Sequence, residues 1–439
     1  MANDCFVADI AAPIKNALVG GPFGSDLVSK DYVESGVPVI RGTNMGYGRW
    51  VGGDFAHVTE EKADSLTANC AKPGDIVFTQ RGTLGQVALV PNQGAPRYLI
   101  SQSQMKLTVD QSKADPLFLY YVFTSPEQQE YIRQHAIQTG VPHTNLGILR
   151  RTPLTLPPLP EQKAIARILG TLDDKIELNR RMNATLEAMA RALFQSWLVD
   201  FDPVHAKAAG RPPSGMASPT AAVFPSSLQS SNLGEIPEGW DRISLYDTAR
   251  FINGAAFRNE DFSPDGDGLP VIKIVELKSG LSSQTKWSRR SAGEDQIIDT
   301  GDLLYSWSGS PDTSLDAFLW TEGRGLLNQH IFKVITPTIT RKRYVYYLLK
   351  YLRPVLVGIA KNKQTTGLGH VTISDMKRLM VCEPPHDVLQ AFDRIVGPLF
   401  DRSFSNTLES QKLAQIRDCL LPKLLSEELS ARAVENISV

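Results

Sequence analysis

The chain is written twice. The segment PGDIVFTQRG around Gly74-Asp75 returns as TGDLLYSWSG around Gly301-Asp302, an offset of 227 residues. The same offset carries YLISQSQMKL onto GLLNQHIFKV, so that Gln102 meets Gln329 and Lys106 meets Lys333. It carries QTGVPH onto TTGLGH, pairing Thr139, Gly140 and His143 with Thr366, Gly367 and His370. Farther along, Arg151 meets Arg378, Pro157-Pro158 meets Pro384-Pro385, Gly170 meets Gly397, Asp174 meets Asp401 and Asn179 meets Asn406. No gap is needed from residue 73 to 198, and upstream GVPVIR (36–41) matches GLPVIK (268–273) at an offset of 232. Chance does not produce so many matches in one register. The chain is a tandem duplication of a unit somewhat over 200 residues long.

Each copy has two parts. The first is rich in Gly, Thr, Val, Ile and aromatics, with short apolar or alternating runs such as GVPVI, GDIVFT and QMKLTV that read as strands punctuated by glycine. A helical stretch follows in each, so this part is a mixed α/β globule. The second part begins at a proline pair and reads as one long helix, with Pro160 and Glu161 suited to its first turn. A heptad runs through it: Ile165, Leu172, Asn179, Leu186 and Leu193 at a, with Ile168, Lys175, Met182 and Met189 at d. The second copy places Asn406 where the first has Asn179, and a buried asparagine at a can fix the register of a coiled coil. Pro398 and Pro422 predict that the second helix kinks or restarts near Gly397-Pro398 and ends around Pro422. Between the copies, residues 208–231 are rich in Pro, Ser, Ala and Gly and read as a linker long enough for the chain to reverse direction.

If the two helices pair antiparallel, a direct repeat in sequence becomes an approximate two-fold in space. The heads then sit at opposite ends of a rod of about 57 Å, from roughly 38 helical residues at about 1.5 Å each. That length is comparable with one to two turns of DNA. Composition bears on this reading through charge. Lys and Arg number 46 against 47 Asp and Glu, a formal charge of -1, which excludes a uniformly basic nucleic-acid coat but leaves room for a local patch. Residues 341–378 are such a place: nine cations, among them Arg341, Arg343, Lys361 and Lys363, stand against the single acid Asp375. That stretch predicts phosphate tracking and a steep loss of affinity with salt.

These residues carry a family resemblance. GPFGS (21–25), GVPVIRG and GDIVF resemble the target-recognition domains of type I restriction–modification specificity subunits. Residues 156–201 (LPPLPEQKAIARILGTLDDKIELNRRMNATLEAMARALFQSWLVDF) are similar to the family's central helix. The implied fold is α+β: two mixed α/β target-recognition domains separated by two long helices forming an antiparallel coiled coil, with internal pseudo-two-fold symmetry. On this reading residues 1–158 and 238–384 are the recognition domains, 159–203 and 385–430 the helices, 204–237 the linker and 431–439 a tail. The implied function is non-catalytic reading of a bipartite double-stranded DNA sequence. The implied partners are two methyltransferase subunits, which bind S-adenosylmethionine, and ATP-driven restriction subunits. No cofactor is expected on this chain; S-adenosylmethionine, ATP and Mg belong to those partners.

The duplication also sorts candidate contacts. Two heads reading different half-sites should share a framework and differ where bases are read. Shared His143/His370 and the charge-keeping pair Arg41/Lys273 suit structural or phosphate roles. The differing pairs Gln80-Arg81/Trp307-Ser308, Asn44/Glu276, Asn145/Thr372 and Gln138/Thr365 are candidates for base edges.

Other classes leave little trace. No NPPY-type tetrapeptide and no GxxxxGK[ST] occurs, so neither an adenine methyltransferase loop nor an ATP-driven motor is expected. GYGRWVGG (46–53) does not sit between a strand and a helix as a dinucleotide site requires. The four cysteines lie far apart without a CxxC, which speaks against a zinc ribbon. MANDCFVADI is not an apolar signal segment, and a cytoplasmic location is expected. Pro264-Asp265 with Glu276-Leu277-Lys278 fits the PD-(D/E)xK spacing of metal nucleases. That alternative, and a protein-binding scaffold, are the competing readings.

Overall fold

The computed structural model describes residues 3–46, 48–138, 142–363 and 368–437. The chain divides into two compact units, residues 1–178 with 409–439 and residues 179–408. Each unit holds one head and a portion of both long helices, Leu159–Leu198 and His386–Leu425. Among the described residues no helix is long and apolar enough to cross a membrane.

The heads are built on the same pair of sheets, the second of which has five strands in the first head and four in the second. In the first head, a sheet ordered Leu18–Gly20, Gln104–Leu107, Ile76–Thr79, Val87–Leu89 is antiparallel throughout. Beside it lies a five-stranded sheet whose centre is parallel, Val37–Ile40 against Tyr98–Ile100. The second head repeats the first sheet as Arg250–Asn253, Ile331–Ile335, Leu303–Ser306, Asp316–Leu319. It repeats the other with Leu269–Ile272 parallel to Gly325–Leu327. GVPVI and GDIVF read as continuous apolar runs because both faces of their strands are covered: Val37–Ile40 and Ile76–Thr79 are buried along their whole length. The matched lysines of the repeat form matching ion pairs, buried in the first head and half-buried in the second. Lys106 Nζ lies 3.3 Å from Asp75 Oδ2, and Lys333 Nζ 3.1 Å from Asp302 Oδ2. Each aspartate also accepts a turn N–H, from Lys72 (2.9 Å) and Asp299 (2.8 Å) respectively.

The long helices run antiparallel wherever they meet. In the first unit Asp173 Oδ1 meets Arg417 Nη1 at 2.7 Å and Lys175 Nζ meets Glu409 at 3.3 Å. In the second, Asn179 Nδ2 donates to Asn406 O at 3.4 Å, Asn406 Nδ2 to Asn183 Oδ1 at 2.9 Å, and Phe194 packs on Phe392. The two asparagines of the repeat therefore face each other, both fully buried.

The second helix does not restart at Gly397-Pro398: it runs as one helix from His386 to Leu425, ending three residues past Pro422. Pro398 and Arg394, whose carbonyl loses its donor there, are exposed, so that carbonyl lies on the solvent side. The heptad is also not the whole packing pattern, because both helices enter the cores of the heads. Ala190, Phe194 and Trp197, and on the other helix Val388, Phe392 and Val396, enter the second head's core, while Ile165, Ala166 and Leu169, with Leu421 and Leu424, enter the first's. The d-position residues Met189, Ile395 and Ile416 are left exposed.

The Pro/Ser/Ala-rich segment is folded rather than extended. It forms a short helix, Ser218–Ala222, and a hairpin of Leu228–Ser231 with Gly234–Pro237. Its sparse apolar residues explain this, since Phe224 sits edge-on against Trp197 at 5.4 Å and Met216 and Val223 pack on the same core. The repeat also extends past the long helices. Asp202–Ala208 and Ala431–Ile437 each follow a left-handed residue, Phe201 and Glu427, and bury the equivalent positions Val204 and Ala431.

Candidate nucleic-acid interface

Three segments meet at one edge of each head. In the first, the strand Ile76–Thr79 runs into Gln80-Arg81, where Gln80 N donates to Ser103 O (2.7 Å) and Gln80 O accepts from Thr144 N (3.0 Å). Arg81 bridges to His143, and His143 pairs with Ile137 through backbone bonds of 2.8 and 3.2 Å, leaving Gln138 exposed. The glycine loop 21–25 closes the group. Gly21 is needed there because a Cβ would overlap the Ser101 carbonyl, and Gln102 Nε2 donates to Gly24 O (3.2 Å) and Leu27 O (2.7 Å).

The second head repeats the arrangement. Val371 N donates to Trp307 O at 2.9 Å, Ser308 pairs with His370, and Gly254 packs against Asn328 as Gly21 does against Ser101. Trp307 Nε1 donates to Asn253 Oδ1 at 3.1 Å, which ties the loop to the strand end. The edge thus gathers Gln80, Arg81, Gln138 and His143 in one head and Trp307, Ser308 and His370 in the other. Of these, Arg81, Gln138 and His370 are exposed, while Gln80, His143, Trp307 and Ser308 are half-buried. Thr365, with Thr139, Gly140, Thr366 and Gly367, lies outside the described residues.

Two differing pairs turn out to be framework. Asn44 is fully buried; its Oδ1 accepts from Arg41 N (3.1 Å) and its Nδ2 donates to Gly52 O and Asp54 O. Glu276, 5% exposed, does the same work by accepting from Lys273 N at 3.0 Å. Asn145 and Thr372 are both N-caps, receiving Ile148 N at 2.9 Å and Asp375 N at 3.2 Å. The residue types differ because Asn, Glu and Thr can all accept a cap hydrogen bond; these side chains are not presented to bases.

The basic segment is corrected more sharply. Arg341 is paired with Glu383 and donates to Thr248 O at 3.0 Å; Arg343 holds Asp393 (3.0 Å) and Asp401 (2.6 Å). Lys361 pairs with Asp312 at 2.7 Å and Lys363 with Asp375 at 2.6 Å. Lys350 pairs with Asp316 at 2.9 Å. All these acids but Asp375 lie outside 341–378, so most of the excess charge is a property of the sequence window and not of the surface. Arg341 and Arg343 are interior anchors rather than phosphate contacts. Burial alone would raise the Asp375 carboxyl, but the Lys363 ammonium and the Thr372 hydroxyl and N–H outweigh it and hold it at about 2. Of the remaining phosphate candidates, Arg41 is half-buried and the Lys273 ammonium sits 5.0 Å over the Phe262 ring.

The nuclease constellation does not assemble. Asp265 lies in an exposed turn, Glu276 faces inward onto its own cap, and among the described residues no group of three His, Cys, Asp or Glu could hold a metal ion.

A repeated head with a repeated exposed edge, carried on antiparallel helices, defines a class. The chain is similar to the type I restriction–modification specificity subunits. A family model described as the type I restriction modification DNA specificity domain matches residues 27–188. The type I restriction enzyme MjaIX specificity subunit of Methanocaldococcus jannaschii is 24% identical over 381 residues, covering 85% of this chain and 82% of its own. The HindI specificity subunit of Haemophilus influenzae is 27% identical over 402 residues, covering 82% of this chain and 87% of its own. In fold, the chain is similar to the crystal structure of the S subunit from M. genitalium, with a TM-score of 0.58, 16% identity and coverage of 97% and 96%.

Proposed function

We propose that the chain reads a bipartite DNA sequence, one half-site per head, for a type I restriction–modification complex. It is a recognition subunit without chemistry of its own; methylation and cleavage lie with partner subunits. The observation that carries this reading is the edge built twice on one backbone framework with different side chains along it, Gln80 and Arg81 against Trp307 and Ser308. Different half-sites call for that combination.

The long helices hold the heads' spacing, with Asn179 and Asn406 fixing their register. Two methyltransferase subunits dock on the helices' exposed faces and the heads' flanks, and bring S-adenosylmethionine. Restriction subunits bring ATP and Mg, and the assembly works in the cytoplasm. With a formal charge of -1, the chain relies on its partners for further phosphate contacts.

The test is titration of labelled duplexes with the chain and its methyltransferase partner. The duplexes carry the motif found by methylated-base mapping in the host. Sequence-selective, salt-sensitive binding is expected, and its absence would leave the protein-binding scaffold as the better reading. Inserting four residues, about one turn, into each long helix should change the preferred half-site spacing and leave the half-sites as they were.

A further inference from the structure

Phe23 is 81% exposed, more than any other large apolar side chain among the described residues. Single exposed apolar residues are ordinary on a protein surface. This one stands on a loop fixed from several sides. Gly21 N donates to Gln104 O at 2.8 Å, Asp26 N to Phe23 O at 2.9 Å, and Asn69 Nδ2 to Gly20 O at 2.7 Å. With Gln102 holding Gly24 and Leu27 as well, the loop's base is pinned while its ring projects. A phenylalanine has only two side-chain torsions, so ordering it on a ligand costs little entropy.

In the second head the residue two past Gly254, where Phe23 stands two past Gly21, is Ala256, and the nearest ring is the next residue, Phe257. Phe257 stacks on Phe262 with centroids 6.3 Å apart and an interplanar angle of 18°, and the Arg290 guanidinium lies 5.5 Å over its face. That aromatic is satisfied inside its own head. Phe23 has no ring partner among the described residues, and it shares an edge with the exposed Arg81 and Gln138.

We infer that Phe23 is a wedge that inserts its ring into the base stack of the half-site read by the first head. This rests on the DNA-reading function proposed above. An apolar ring between base pairs gains burial and stacking and pays for local unstacking, so it favours steps that open easily, pyrimidine–purine steps above all. The first half-site is therefore read partly through deformability. The second head, whose ring is caged, uses contacts from Arg258, Ser308 and His370 instead.

The experiment uses the full chain assembled with its methyltransferase subunit, at fixed salt, on a duplex carrying its mapped motif. 2-Aminopurine is placed at successive positions of both half-sites. Wild type should raise its fluorescence at one step of one half-site. Phe23→Ala should abolish that rise and weaken binding on the order of tenfold, and Phe23→Trp should retain both. Unchanged thermal unfolding of Phe23→Ala would show that the fold is intact. If Phe23→Ala keeps the fluorescence rise, or loses affinity where wild type shows no rise, the wedge is wrong although DNA reading stands. If wild type shows no sequence-selective binding, the reading and the wedge fall together.

Discussion

The two heads are fastened to the long helices by the same helix residues and by different arginines. In the first unit Arg49, from the loop after a central strand, donates to Gly170 O at 2.9 Å and pairs with Asp174. In the second unit Arg343, from the helix Ile339–Asn362, pairs with Asp393 and Asp401 beside Gly397. Gly170 and Gly397 are repeat partners, as are Asp174 and Asp401, but Arg49 and Arg343 are not. A glycine inside a helix costs about 1 kcal/mol against alanine. Both persist here because a Cβ would stand 3.1 Å from Arg49 Nη1 and 2.8 Å from Arg343 Nη1. The repeat preserves the socket and lets the side chain that fills it come from elsewhere.

A second contrast lies one residue earlier on the same helices. Asp173 accepts Tyr121 Oη at 2.6 Å and pairs with Arg417 at 2.7 Å. Its repeat partner is Phe400, which packs on Tyr346 and Tyr347, and the repeat partner of Arg417 is the buried Ala190. Burial, then the Asp173 charge, pushes the Tyr120 hydroxyl up to about 12, while its counterpart Tyr347 is raised by burial first and by Glu187. At this position one unit uses charge and hydrogen bonds, the other aromatic area.

The largest effect should come from breaking the better-buried anchor. Arg343→Ala leaves Asp393, 15% exposed, without its partner and should cost about 2–4 kcal/mol. Arg49→Ala should cost about 1–2 kcal/mol, because Asp174 is 68% exposed and partly screened. Native-state hydrogen exchange resolves the two units; equal losses would dissolve the contrast. Next, Arg417→Ala should cost about 1–3 kcal/mol by stranding Asp173. The double change Asp173→Leu with Arg417→Ala should recover most of that, since it moves the first unit toward the second unit's apolar solution. A double variant no better than the single would show that the polar joint is required.

Smaller, but more diagnostic, is the socket glycine. Gly170→Ala should destabilise the native chain, yet stabilise an Arg49→Ala background by about 0.5–1 kcal/mol through helix propensity. Leu117 Cδ2, also 3.1 Å from the added Cβ, must shift slightly in both cases. Additive effects would mean that the arginine does not hold the glycine.

Much of this was legible because the chain carries its own alignment. An offset of 227 residues located the heads, the helices and the facing pair Asn179 and Asn406. The anchors were not legible. Gly170 and Asp174 stood out as shared residues, but their arginines occupy unrelated positions and no periodicity points to them. The basic window misled for a related reason: charge summed along the sequence ignores carboxylates such as Asp312, Asp316 and Asp393 that folding brings to those lysines and arginines. Difference between copies also proved a poor guide to base reading at Asn44/Glu276 and Asn145/Thr372. A cap needs an acceptor at one place and tolerates several residue types there. Phe23 was visible inside GPFGS, a large apolar side chain between glycines, and its exposure is what sets it apart.

The caps give the comparison a pH test. The helix Ile373–Arg378 of the second head starts at Thr372 with Asp375 bonded to the cap and to Lys363, whereas Leu146–Arg150 of the first head starts at Asn145 and has Ile148 at the position of Asp375. Asp375 is held at about 2 against an ordinary 3.8. A depressed carboxyl contributes stability above its unfolded value and loses it as pH falls through its folded value. The second head's cap should therefore loosen between about pH 4 and pH 2, while the first head's cap, with no titrating group, should not respond in that window. Amide protection factors for 373–378 and 146–150, corrected for intrinsic exchange, measure both at once. Asp375→Asn should remove the response at the second cap, and a first-head cap that loosens in parallel would assign the acid effect to the whole fold.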